Sequence, residues 1–211
     1  MTEKFKLFCK ENPLDFDTEQ FKKIETDILN KKNVVCDEYV EFTLWQKGLK
    51  SRQEYFCECV EKIFPLEKYS HLLEVGAGKN ARLSKILSKK GYQMTAIDPK
   101  ITEHSDFENL KLQKKSFLFE ETDISYYDAI IAQEPCEATE HIIRACVKQE
   151  KDFFISLCGT PHTLINGETP ETVFDWYQYL DEISGKSGFL FQMDMIPNYI
   201  TYVITNKSSW K

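Results

Sequence analysis

Two glycines and two acids, by their types and spacing, carry the most chemistry in this 211-residue chain. Glu74, Gly76 and Gly78 lie within His71-Leu72-Leu73-Glu74-Val75-Gly76-Ala77-Gly78-Lys79-Asn80, and Asp98 stands twenty residues beyond Gly78. Lacking a Cβ, Gly76 and Gly78 permit a tight turn whose backbone can lie close to a ligand. Leu72 to Val75 reads as a short buried strand ahead of that turn. Ala81 to Lys90 places Leu83, Ile86 and Leu87 at helical spacing and stops at Gly91. Tyr92 to Ile97 reads as a second strand, with Asp98 just past its end. Strand, glycine turn, helix, strand and acid is the order in which a parallel α/β sheet holds an adenosine-containing cofactor, the acid taking the ribose hydroxyls.

Gly76-x-Gly78-x-x-Ala81 also fits a loosened dinucleotide fingerprint, and an ordinary βαβ turn without ligand shares much of the pattern. Glu74 separates the readings. Two residues ahead of the first glycine, it places negative charge at the strand mouth, where a cation is welcome and a pyrophosphate is repelled. Here the chain resembles the class I S-adenosylmethionine-dependent methyltransferases, whose first motif runs acid-x-Gly-x-Gly-x-Gly after a hydrophobic strand. Glu74, Gly76 and Gly78 match, and Asn80 replaces the third glycine. Asparagine tolerates unusual backbone angles better than most residues. The resemblance implies S-adenosylmethionine as cofactor. It also implies a binding site of Glu74, Gly76, Ala77, Gly78, Asn80, Asp98, Pro99, Ser116, Phe117 and Gln133. In it Asp98 holds the ribose, and Ser116 and Phe117, after the third strand, border the adenine.

The acceptor side is less marked. Gln133-Glu134-Pro135-Cys136 occupies the place where methyltransferases acting on exocyclic or side-chain amines carry Asp/Asn-Pro-Pro-Tyr/Phe, and only one proline matches. That departure argues against an amine clamp. Transfer from a sulfonium is an in-line displacement, so the main requirement is alignment with water excluded. A base is needed only when the acceptor starts protonated. The candidates are His162, by its unperturbed pKa, and Glu134, if desolvated. Both have plainer readings, His162 as an exposed loop residue and Glu134 as a carboxylate near a helix N-terminus. His71 and His141 read as structural, and Cys136 near a helix start invites a lowered thiol pKa.

The elements that must position these residues follow from periodicity. Residues 1–66 read as an N-terminal helical cap, with Phe21, Ile24 and Ile28 on one face. Tyr39, Phe42 and Trp45 in this cap either line an acceptor pocket or pack the helix onto the sheet. Ser51-x-x-Glu54 is a capping-box signature opening a helix that ends near Phe64-Pro65. Residues 67–211 read as the cofactor-binding domain. Strands are expected at 110–117, 127–132 and 152–158, the last of the buried parallel type, and a helix at 135–147. A further helix opens at Thr169-Pro170-Glu171 with proline first, and two strands, 188–194 and 199–205, flank the turn Pro197-Asn198. The expected fold is a Rossmann-like α/β structure: a seven-stranded, mostly parallel sheet with helices on both faces. The closing hairpin matches the order seen in the methyltransferase family.

Composition bounds the partners. A net charge of −7 disfavours a grip on nucleic acid, and the lysine pairs are dispersed. No apolar run approaches the roughly 20 residues of a membrane span, and Met-Thr-Glu-Lys-Phe-Lys lacks the apolar core of a signal peptide. Seven cysteines without such a signal imply reduced thiols and a cytoplasmic setting. Cys57-x-Cys59 with four scattered histidines makes no zinc site, so no metal is expected. The sequence therefore reads as a methyltransferase with a small-molecule acceptor. An RNA or protein methyltransferase and a non-catalytic S-adenosylmethionine-binding protein remain as alternatives.

Overall fold

The apolar runs at 72–73, 94–97, 129–132 and 153–155 become the central strands of one sheet, buried on both faces. A computed structural model describes residues 3, 4, 7, 8, 26, 37–102, 107–185, 189–196 and 199–207. Its strands are β1 (His71–Val75), β2 (Gln93–Ile97), β3 (Leu110–Gln113), β4 (Ala129–Gln133), β5 (Asp152–Ser156), β6 (Phe189–Ile196) and β7 (Tyr199–Thr205). They form a seven-stranded sheet in the order β3-β2-β1-β4-β5-β7-β6. The strands from β1 to β5 run parallel, and β7 is antiparallel to both β5 and β6. The helices are α1 (Asp37–Gln46), α2 (Arg52–Ile63), α3 (Arg82–Lys89), α4 (Ala138–Lys148) and α5 (Val173–Ser184). The expected α/β architecture is the one observed.

Side chains alternate along each strand, so the sheet has two separately packed faces. Phe153 and Ile155 of β5 join Ile142, Ile143, Trp176 and Leu180 from α4 and α5 in one core. Phe154, between them, points the other way and meets Phe56 of α2 at 5.1 Å between ring centroids. Cys57 Sγ of the same helix donates to the Leu83 carbonyl of α3. Burying such side chains contributes about 1.5–3 kcal/mol each.

Two compact units divide the chain, residues 1–54 and 55–211. Phe56 and Cys57 of α2 belong to the second unit, where they meet the sheet and α3. Within the first unit Phe8, Phe42 and Trp45 form an aromatic cluster, with Phe42 and Trp45 stacked at 6.0 Å. The Ser51–Glu54 capping box forms as read: the Glu54 N–H donates to Ser51 Oγ at 3.2 Å and the Ser51 N–H to Glu54 Oε2 at 2.7 Å.

Three boundaries move by a turn or so of chain, and others by a residue or two. β3 stops at Gln113, so residues 115–117 lie in a loop. α4 opens at Ala138 instead of Pro135, because Glu134 and Cys136 both take a left-handed φ of 54° and no helix can pass through them. α5 opens after Thr172, whose hydroxyl accepts from the Asp175 N–H at 3.2 Å in a capping box, leaving Pro170 outside the helix. The expectations on Phe21, Ile24 and Ile28, and on the turn Pro197-Asn198, lie outside the described residues. No described helix is long and apolar enough to cross a membrane.

Candidate active site

The parallel strands end on one edge of the sheet, where open α/β folds take their ligands. The Gly76 and Ala77 N–H groups both donate to the Ile97 carbonyl, at 2.9 and 3.3 Å, which ties the turn after β1 to the end of β2. Gly76 has φ 76°, and a Cβ there would stand 3.0 Å from both Cα and Cβ of Pro135. Only glycine fits between these two loops. Gly78 has φ 66°, and a Cβ there would meet nothing within 4 Å. Its backbone faces open space.

Asp98, just past β2, is buried at 8% exposure. Its Oδ2 accepts from the Gly78 N–H at 2.9 Å and its Oδ1 from the Lys100 N–H at 2.7 Å. The acid thus fixes the glycine turn while both oxygens keep lone pairs to spare. Beside this pair lies a cavity of about 510 Å³, well inside the size range of small-molecule sites. The glycine turn, residues 97–100, the loop 115–118 and the segment 134–138 line it, together with His141.

Of the residues expected from sequence, Gly76, Gly78, Asp98, Pro99, Ser116, Phe117 and Glu134 line this cavity. Glu74, Ala77, Asn80, Gln133 and His162 stand outside its lining. Glu74 faces the start of α3. The N-cap of α3 is Ala81, which takes a left-handed φ of 43° and has no side chain able to cap a helix. Glu74 supplies the cap from β1: its Oε2 accepts from the Ser84 N–H at 2.9 Å and from the Ser84 hydroxyl. A helix start leaves its first N–H groups without partners and favours negative charge, and the carboxyl answers both. Burial pushes the Glu74 pKa up to about 7, opposed by the two Ser84 hydrogen bonds and reinforced by the charge of Asp98.

His162 follows β5 with its side chain 17% exposed, Nδ1 3.7 Å from Glu137 Oε1. Its ring meets Trp176 edge-on at 5.2 Å. Gln133 closes β4 in register with Ser156. Sequence reading missed His141, which it took as structural and which lines the cavity. Its signal was the spacing from Ala138, since residues three apart share a helix face. His141 Nδ1 accepts from the Phe119 N–H at 3.4 Å, which assigns the ring proton to Nε2, and burial lowers the His141 pKa. A neutral imidazole with its Nε2–H available is a hydrogen-bond donor. Lys100, Lys115 and Glu137 complete the charged lining.

No protein-family model matches the chain, and no curated protein matches it in sequence. Solved structures do. WbdD, crystallised with a kinase inhibitor, aligns at TM-score 0.50 and 10% identity over 76% of this chain and 42% of its own. This chain thus spans less than half the length of WbdD, which is described as a bifunctional kinase-methyltransferase. The 1,6-didemethyltoxoflavin-N1-methyltransferase of Burkholderia thailandensis, with bound 1,6-didemethyltoxoflavin and S-adenosylhomocysteine, aligns at 0.47 and 13% over 92% and 90% of the two chains. Precorrin-6y C5,15-methyltransferase of Geobacter metallireducens aligns at 0.44 and 14% over 71% and 84%. The likeness is one of fold: a seven-stranded, mostly parallel α/β sheet.

Proposed function

We propose that this chain is an S-adenosylmethionine-dependent methyltransferase acting on a small-molecule acceptor. The observation that carries the reading is the glycine turn held open by the Asp98 carboxylate beneath the cavity. The Gly78 backbone has the empty space a ligand would fill, and Asp98 keeps acceptor capacity for a ribose diol. The residues present fit the cofactor. When bound, S-adenosylmethionine supplies an electrophilic methyl group on a sulfonium.

The chain's own residues would do the rest. Gly78 offers close backbone approach, Asp98 takes the hydroxyls, and Ile97, Ser116 and Phe117 form the wall for a flat base. Glu134 is placed to accept a proton from a hydroxyl or ammonium acceptor, and His141 to donate a hydrogen bond from Nε2. His162, the other base candidate from sequence, lies off the cavity wall, so Glu134 takes the role. The net charge of −7 and the cavity's size favour a small acceptor over a polyanion.

Calorimetric titration with S-adenosylmethionine, S-adenosylhomocysteine and NAD tests the cofactor. Binding of the first two without NAD is expected, and tight NAD binding alone would overturn the reading. Release of S-adenosylhomocysteine with cell-extract acceptors then separates an enzyme from a binding protein.

A further inference from the structure

At the edge of the cavity, three side chains meet where β4 and β5 end. Gln133 and Ser156 are register partners in these adjacent parallel strands, so Cys136 and Cys158 leave the sheet side by side. Their sulfurs are 3.6 Å apart. His162 returns from the loop after β5, and one donor atom from each of the three residues lies within 4.8 Å of the others. Two thiolates at about 2.3 Å from one tetrahedral ion stand about 3.8 Å apart, close to this spacing.

The histidine is already oriented. Its Nε2 is buried with no hydrogen-bond partner among the described residues. Its Nδ1 faces the Glu137 carboxylate at 3.7 Å, and Trp176 fixes the ring edge-on. Metal-bound histidines almost always pair one nitrogen with the metal and the other with a carboxylate, carbonyl or water.

We propose that Cys136, Cys158 and His162 form a zinc site, with Glu137 as the positioning residue for the imidazole. Two sulfurs and an imidazole suit zinc and exclude the hard cations, which take oxygen donors. Each thiol loses its proton to solvent as its Zn–S bond forms, and the ion keeps its divalent state. Three protein ligands leave one tetrahedral corner for water or an exogenous donor, the pattern of catalytic zinc sites. Cys136 also lines the cavity, so the ion would be set in its wall. The site stands or falls independently of methyl transfer.

The full chain, purified reduced and stripped with a chelator, is titrated with zinc against a chromophoric competitor and separately loaded with cobalt(II). One equivalent of zinc and a thiolate-to-cobalt charge-transfer band are expected. Cys136→Ser, Cys158→Ser and His162→Asn should each weaken zinc binding at least about tenfold, and the cysteine changes should diminish the band. Glu137→Gln, which leaves the ligands in place, should keep the stoichiometry and weaken binding by about 10–100-fold. Cys59→Ser, on α2, should change nothing. Circular dichroism checks each variant's fold; should one unfold, the wild-type cobalt spectrum and Glu137→Gln decide. Absence of the band in folded, reduced wild-type protein would overturn the site, as would its full survival in both cysteine variants. A Cys136–Cys158 disulfide forming on oxidation, with no cobalt band after reduction, would overturn it in favour of a redox pair.

Discussion

Ser84 donates its backbone N–H to Glu74 Oε2 at 2.9 Å, joining the end of β1 to the first turn of α3 across the glycine loop. The acid of the motif therefore acts first on the fold. It caps a helix whose own N-cap, Ala81, has no group to offer. The loop between Glu74 and Ser84 is pinned at both ends, and Asp98 pins its middle through Gly78.

Glu74→Gln should flatten the pH dependence of stability. In the folded chain the Glu74 carboxyl titrates near 7 against an ordinary value of 4.5, chiefly because it is buried. Between these values the unfolded chain is ionised while the folded chain still holds the proton. Stability therefore falls as pH rises through this window, by at most about 1.4 kcal/mol per unit. Glutamine keeps an oxygen for the Ser84 N–H and has no proton to lose. Urea denaturation at pH 5 and pH 7.5 measures both proteins. Equal slopes in wild type and mutant would remove Glu74 as the source.

Asp98→Ala should weaken S-adenosylmethionine binding by at least about tenfold while the fold persists. A carboxylate–diol contact consists of charge-assisted hydrogen bonds, about 1.5–3 kcal/mol each, and about 1.4 kcal/mol is tenfold. The mutation also frees the Gly78 N–H, which loosens the turn. Unchanged affinity in a folded mutant would place the ribose elsewhere.

Much of the fold was legible because buried parallel strands announce themselves as short apolar runs, as 129–132 and 153–155 do. The glycine turn and Asp98 were legible because close backbone approach demands glycine and a strand end demands a fixed offset. Side-chain direction was not. Nothing in the string tells that Ala81 leaves α3 uncapped, and so that Glu74 turns inward. The helix signal at Pro135 misled because two left-handed residues flank it, Glu134 and Cys136, set by tertiary contacts such as the Glu134 N–H to the Ser156 carbonyl, 2.9 Å. The meeting of Cys136, Cys158 and His162 depends on strand register, which spacing alone does not give.

The two glycines of the turn should respond differently to alanine. At Gly76 a Cβ would collide with the Pro135 backbone and side chain at 3.0 Å, on top of its left-handed φ. Overpacking of this kind costs about 1–3 kcal/mol and the conformation about 1–2 more. Gly78→Ala pays only the conformational part, since its Cβ points into open space. Thermal melts should show the larger drop for Gly76→Ala, whereas Gly78→Ala should lose cofactor affinity out of proportion to stability. Equal melting temperatures would contradict the close approach of the two loops.

Glu140→Gln should lower stability without touching the cofactor. Glu140 is buried in α4, and its carboxylate accepts from Tyr179 Oη at 2.6 Å, Arg144 Nε at 2.7 Å and the Ile165 N–H at 2.8 Å. Burial alone would push its pKa up; the three donors outweigh it and hold the carboxyl below its ordinary value. Its sign is thus opposite to that of Glu74: the stabilisation is present above the unfolded pKa and is lost as pH falls through the folded one. An amide cannot accept from all these donors, because its NH₂ end faces one of them. The expected loss is about 2 kcal/mol at neutral pH, a fall of about 4–8 °C in melting temperature for a chain of this length. The difference between mutant and wild type should shrink toward acid pH, where the wild-type carboxyl protonates. A constant difference from neutral to acid pH would mean that packing, and not the charge of Glu140, holds α4 against α5.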